Sequence, residues 1–376
     1  MKRSIVLSLL AAACGGSSHT SPPDAPADAP PDGGIPDATA VVVAGDYTAG
    51  HPGVMSKVDV VAGTIDANIA PEGAVGDDPM LRHIGNELFV VNRSDGENVT
   101  ILNDKTFALV VQLGTGPDSN PQDVAVLGDT VYVPAFGGTG VVALSRTTGN
   151  MTTIDLGADD PDGKPNCVSV YLVGTDLYVA CELLDDTNVD LPPRGPGKVY
   201  VVDTTSNTIT HSITMMNPNP FGVFHQLATG DLVIPTVDFG ATTPNGCVER
   251  ITTGANPASA GCTVMDAQLS SYVAGLDVQL LEDGDSIMWM AASNFDFMHG
   301  TLNGFDLGTN TLWAAPISGS GEVIVSVAVC PSTHVVVADS TMAASGVRIF
   351  YNAQEVTTAP LFAGLRTQNA DAIVCY

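Results

Sequence analysis

Carboxylates, cysteines and histidines are the side chains here with chemistry to offer. Asp159-Asp160-Pro161-Asp162-Gly163 sets aspartates at alternating places before a glycine. Carboxylate oxygens at that spacing suit calcium, a hard cation that prefers oxygen ligands. The later glutamate of an EF-hand is missing. The acidic loop Glu182 to Gly197, ELLDDTNVDLPPRGPG, adds carboxylates and backbone carbonyls for the same ion. Calcium is the one cofactor these residues suggest, with Asp159, Asp160 and Asp162 as ligands, but solvated acidic loops are the reading the sequence favours. Beyond Cys14 there are Cys167, Cys181, Cys247, Cys262, Cys330 and Cys375, with no C-x-x-C pair for a metal. An even set in an exported chain points to disulfides. Cys167 and Cys181 flank a hairpin centred on Gly174, and Cys247 and Cys262 flank a turn at Gly254-Ala255. A three-residue turn sets Cys167 opposite Cys181, whereas a two-residue turn at Gly174-Thr175 slips the pair by one place. Histidines 51, 83, 211, 225, 299 and 334 are scattered, and no H-E-x-x-H, G-x-S-x-G, C-x-x-C-H or phosphate loop is present.

Composition narrows the partners. Lys plus Arg is 13 against 41 Asp plus Glu, a formal charge of −28. Nucleic acid is excluded, because phosphate binding needs clustered Lys and Arg. Docking on anionic lipid by charge is excluded for the same reason. Cations, basic partners and neutral ligands remain. After the first dozen residues no apolar run approaches the roughly 18 residues that span a bilayer.

The first forty residues read as an address and a spacer. Met1-Lys2-Arg3 is basic, Ile5 to Leu10 is apolar and Ala11-Ala12-Ala13 is small, so residues 1–13 form an export signal. Cys14 follows directly, then Gly15-Gly16-Ser17-Ser18. This resembles the lipobox of bacterial lipoproteins, with Ala11 where leucine is usual and Leu10 one place earlier. The resemblance implies a lipid on Cys14, and so a membrane contact through an anchor alone, in the outer membrane of a bacterial envelope. A soluble secreted protein cleaved near Ala13 is the alternative. Residues 14–40 continue with PPDAPADAPPDGGIPDA, which lacks the apolar surface to order itself. Proline geometry and repelling aspartates make it a semi-rigid stalk.

Residues 41–376 form the remaining domain. Short runs of Val, Ile, Leu and Tyr alternate with Gly, Asn, Asp and Pro, which is strand and turn chemistry. One unit recurs: a strand, a tight glycine turn and a second strand, as in Asp123–Phe136, Cys167–Glu182 and Gly222–Asp238. A second hairpin follows in most copies, giving the four strands of a propeller blade. The second strands centre near Val42, Val90, Tyr132, Val179, Val233, Met288 and Val336, about 49 residues apart. Seven centres predict an all-β, seven-bladed β-propeller.

Closure is legible too. Val41-Val42-Val43 begins as a second strand with no first strand before it, and residues 369–375 match the first-strand segment 120–126. The C-terminal strand is therefore expected to complete the N-terminal blade, which removes both raw edges. Cys330 and Cys375 then sit late in neighbouring first strands, placed to lock the ring. Val131-Tyr132-Val133 and Leu177-Tyr178-Val179, each followed by a Gly- or Asp-containing loop, resemble the YVTN and NHL class of bacterial β-propellers. That fold hosts many functions. Two β-sandwiches are the alternative architecture.

In a propeller the second strands all run toward one face, where their following loops meet the loops entering the first strands. Aligned positions there are Asp46, Arg93, Phe136, Glu182, Asp238, Asn294 and Asp339 after second strands, and Arg82, Asp123, Asp277 and Asp371 at first strands. Carboxylates, arginines and aromatics at one mouth make a polar pocket with apolar walls. The expected role is a module binding an unidentified ligand or protein partner. The plainer account is that Asp123, Asp277 and Asp371 cap loop amides. The rival function is a periplasmic hydrolase or lyase, lactonase-like, using His51, His83, His225 or His299 with carboxylates on the same face. With no catalytic motif, the sequence leans away from an enzyme.

Overall fold

The computed structural model describes residues 38–281, 284–294 and 298–376, with the backbone alone of Asp95. The export segment, Cys14 and the stalk up to residue 37 lie outside the described residues. From there the chain forms seven four-stranded antiparallel sheets, the blades of a propeller. Blades 2 to 7 open with their innermost strands Pro79–Ile84, Ala125–Leu127, Cys167–Val173, His225–Gln226, Tyr272–Leu280 and Ile324–Val329. Blade 1 takes its innermost strand, Ile373–Cys375, from the other end of the chain.

The tight turns follow from sequence. Ile84 faces Glu87, Leu127 faces Thr130 and Val173 faces Asp176, so each inner hairpin turns in two residues. Their first residues, Gly85, Gly128 and Gly174, have φ of 65°, 61° and 64°, a conformation only glycine adopts cheaply. The middles of the second strands are largely apolar because both blade faces are covered there. Leu88, Phe89, Val90 and Val91 are each fully buried in Glu87–Asn92. The core accordingly lies in the junctions between blades, with a small separate cluster of Val237, Tyr272 and Ala274 beside the main one between blades 5 and 6. Met80, Phe89 and Ile101 of blade 2, for example, pack on Val131, Val133 and Leu144 of blade 3.

Closure is as expected, with one shift in boundary. Blade 1's second strand, Thr39–Ala44, opens two residues before the apolar run at Val41. Ala40, Val41 and Val42 pair with Cys375, Val374 and Ile373. Thr39 and Tyr376 exchange both backbone hydrogen bonds at 2.9 Å.

Three disulfides join Cys167–Cys181, Cys247–Cys262 and Cys330–Cys375. The two-residue turn at Gly174-Thr175 starts the first hairpin one place out of register for its cysteines. A bulge at Val168 restores it, so Cys167 faces Cys181 after all. Cys247 and Cys262 do not face each other. Cys262 pairs with Glu249 and Cys247 with Met265, so this bridge runs diagonally across one sheet face, with the Cα atoms 5.6 Å apart. Cys330–Cys375 ties blade 7 to the C-terminal strand of blade 1.

That last bridge closes a loop of 45 residues, worth about 4 kcal/mol in unfolded-chain entropy. The 14-residue loop of Cys167–Cys181 is worth about 3 kcal/mol. Replacing Cys330 and Cys375 together by alanine is expected to leave the fold intact. It should lower the unfolding free energy in urea by more than the matching Cys167 and Cys181 double replacement does.

Candidate functional site

The second strands deliver their following loops to one end of the ring, where a cavity of about 770 Å³ opens. Its walls include Phe136, Val168, Leu184, Leu191, Phe221, Val223 and Phe239, with Asp78, Arg93, Glu182, Asp190 and Asp371 as charged members. A cavity of about 470 Å³ adjoins it and shares Asp78, Arg93, Phe221 and Ala370. A narrower space of about 220 Å³, lined by Arg82, His83, His225, Asp277 and Asp371, continues along the channel. Of the sequence-derived candidates, Arg93, Phe136, Glu182 and Asp371 therefore meet in the large cavity, and Arg82, Asp277 and Asp371 in the channel.

The others serve the scaffold. Asp46 is exposed and pairs with His51 at 3.1 Å. Asp238 holds its own loop through the Gly240 amide. Asn294 accepts from Ser271 Oγ at 2.7 Å. Asp339 is fully buried, takes the Val323 and Thr341 amides and is paired with Arg348 at 2.7 Å.

Two channel aspartates are also committed to structure, as backbone capping would have it. The channel edge of each inner strand needs acceptors, and the preceding blade supplies them. Asp123, fully buried, takes Ser169 Oγ at 2.8 Å and the Val170 amide at 3.0 Å across the junction of blades 3 and 4. It also receives Arg82 of blade 2 through two hydrogen bonds of 2.7 and 2.9 Å. Ser169 accepts from the Phe224 amide of blade 5. His225 meets Asp277 of blade 6 at 3.1 Å, and Asp277 takes the Val329 amide of blade 7 at 2.7 Å. Ser326 accepts from the Ala372 amide of blade 1, and the Asp371 carbonyl from the Leu81 amide of blade 2. Every junction has such a link.

Two carboxyls are left over. Glu182 is 9% exposed, lines the large cavity, and its carboxyl has no partner among the described residues. Burial alone pushes it up to about 8. Asp371 lines both the cavity and the channel, and its carboxyl too lacks a hydrogen-bond partner among the described residues. Burial raises it, against the pull of Arg82, His225 and Arg93. Its backbone is left-handed, with φ of 52°. Arg93, by contrast, is neutralised by Asp78 at 2.6 Å, and Asn369 also donates to Asp78.

The acidic loop after Glu182 is pinned by its own arginine. Arg194 reaches Asp162 and Asp185 at 2.8 Å and Asp160 at 3.5 Å, while Asp159 meets Lys198 and Tyr200. Asp159 and Asp162 are thus engaged by protein donors, while Asp160 keeps a buried Oδ2 without a partner among the described residues. Among the described residues no three His, Cys, Asp or Glu side chains are grouped to hold a metal. His83 and His225 share the narrow channel space, where His83 stacks on Tyr376 at 4.1 Å and meets Asp104, while His334 lies elsewhere and stacks on Tyr351.

Sequence reasoning passed over Asp78, Asn120, Gln122 and Asn219, all lining the cavity, whereas the Asp190–Pro193 segment that also lines it belongs to the acidic loop already singled out. Asp78 and Asn120 stand in loops entering first strands, the position that singled out Asp123, so the signal was present.

No protein-family model and no curated protein matches the chain. Solved structures match it in fold. A putative 6-phosphogluconolactonase from Bacteroides uniformis aligns over 90% of this chain and 99% of its own, at 10% identity and a TM-score of 0.60. Apo AztD from Citrobacter koseri covers 90% and 98%, at 12% identity and 0.52. The dihydro-heme d1 dehydrogenase NirN, in complex with DHE, covers 90% and 76%, at 16% identity and 0.52. At these identities the likeness establishes the propeller and carries no chemistry.

Stability should depend on the buried acids. Burial holds Asp266, 1% exposed, up to about 7 and Glu182 to about 8, against ordinary values of 3.8 and 4.5. Between those values the folded state binds more protons than the unfolded one, so stability falls as pH rises from about 5 to about 8. Asp266→Asn should lessen that decline up to about pH 7 and Glu182→Gln over the whole range to about pH 8, read from urea unfolding.

Proposed function

We propose that this protein is an exported, lipid-anchored β-propeller that binds a small ligand, or a segment of a partner, through the cavity at its channel mouth. The observation that carries the reading is the large cavity itself. Its volume falls within the range of small-molecule sites, and its walls are mostly apolar with few convergent polar groups. The three disulfides fit an oxidising compartment outside the cytoplasm. Cys14 as the lipid-bearing residue, the Pro-Asp-Ala stalk and the outer membrane complete the placement, on the strength of the sequence.

A second reading has one observation behind it. A carboxyl held up to about 8 in a partly apolar cavity is a proton donor matched to neutral pH, as hydrolysis or elimination requires. Under that reading Glu182 is the general acid of a hydrolase or lyase. Turnover of a lactone panel that Glu182→Gln abolishes would favour it over simple binding.

Two measurements test the first reading. In a thermal-shift screen of the mature domain, a ligand at a hundredfold its dissociation constant stabilises by about 2.7 kcal/mol, and Phe221→Ala should abolish that shift while the unliganded domain still melts cooperatively. In cell fractionation, the protein should follow the outer membrane, and Cys14→Ser should release it. An exported wild-type protein found free in the soluble fraction would exclude the anchor.

A further inference from the structure

We infer that the mouth cavity takes an organic cation, an ammonium group on an aromatic or branched apolar body, seated between the Glu182 carboxylate and the Phe136, Phe221 and Phe239 rings. This rests on reading the cavity as a ligand site and names the class of ligand.

The argument is one of unspent charge. Of the arginines facing this end of the channel, Arg93 is matched by Asp78 and its Nε is sealed from solvent. Arg82 is matched by Asp123. Arg366 donates to the Ser340 carbonyl and lines the adjoining cavity rather than this one. No unmatched positive charge therefore waits here for an anion. The carboxyls are unmatched instead. Glu182 is nine-tenths buried with its oxygens unpartnered, and Asp371 presses so near Gly222 that a methyl there would meet its Oδ2 at 3.2 Å. A buried acid without a partner weakens the fold unless something compensates it. An ammonium supplies the missing charge and a charge-assisted hydrogen bond. The aromatic walls favour the same class. Phe221 and Phe239 stand edge to face with centroids 5.6 Å apart, and Tyr272 closes the group at 6.2 and 6.0 Å. Ring faces attract cations, most strongly where water is excluded. The overall charge of −28 steers cations toward the molecule.

Binding in this mode ionises Glu182, whose proton leaves to solvent. The other titratable groups around the cavity are Asp78 and Arg93, paired with each other, Asp190 on the loop, and Asp371. With Glu182 titrating near 8 in the free protein, affinity for a cation should rise about 50-fold from about pH 6 to about pH 8.

The test is calorimetry on the disulfide-intact mature domain with three probes of one shape: phenethylammonium, 2-phenylethanol and phenylacetate. The ammonium should bind at least about tenfold more tightly than the alcohol. It should release a proton, seen as a heat that depends on the buffer, and the carboxylate should bind least. Glu182→Gln should erase the preference for the ammonium and the pH dependence, and its intact melting curve would show that it folds. Failure of the ammonium to bind, equal affinity for alcohol or carboxylate, or an ammonium preference that survives Glu182→Gln would each overturn the inference. If the alcohol binds and Phe221→Ala weakens it, the cavity reading stands without the cation. If no compound shifts the melting temperature, the cavity reading falls as well.

Discussion

Each blade's innermost strand has a hydrogen-bonded neighbour on one side only, so its other edge faces the channel with amides that need acceptors. Open strand edges are normally a hazard for pairing and aggregation. Here the ring answers its own need: Asp123, Ser169, Asp277 and Ser326 reach across to amides of the next blade, and the Asp371 carbonyl does the same from the main chain. The remaining two junctions are held by side-chain pairs, Arg82 with Asp123 and His225 with Asp277. Breaking such a buried pair leaves an uncompensated charge, which costs far more than the intact pair contributes.

This requirement explains which polar groups are free at the mouth. A position that must cap an amide cannot also serve a ligand. Asp123 and Asp277 are consumed in that way, and Asp339 is consumed by Arg348 and its own loop. Glu182 follows a second strand rather than opening a first one, so no neighbouring edge claims it. Asp371 meets the edge through its carbonyl and keeps its side chain for the channel. The division between structural and available carboxylates is therefore set by where each lies relative to the inner edges, not by residue type.

The architecture was readable because a blade is a local object. Glycine turns, apolar second strands and the match of residues 369–375 to 120–126 all lie within short windows, and the seven centres fall inside the seven observed second strands. The disulfide pairings were readable for a related reason, since two of them join strands of one blade. Their exact opposition was not, because bulges at Val168 and between Val248 and Glu249 shift register in ways no residue type announces. At the site, the list of residues at one end of the ring was readable from strand order. Which of them pair was not: Arg82 with Asp123, Arg93 with Asp78 and Arg194 with three aspartates are meetings across blades or loops. The alternating aspartates at Asp160 and Asp162 give no hint that Arg194 stands among them.

The shared sheet at the seam has a mechanical meaning. Thr39–Ala44, where the described chain begins, is not an edge strand but is flanked by Ile373–Cys375 on one side and Val54–Asp59 on the other. A force directed along that strand must shear two ladders at once instead of unzipping one bond at a time.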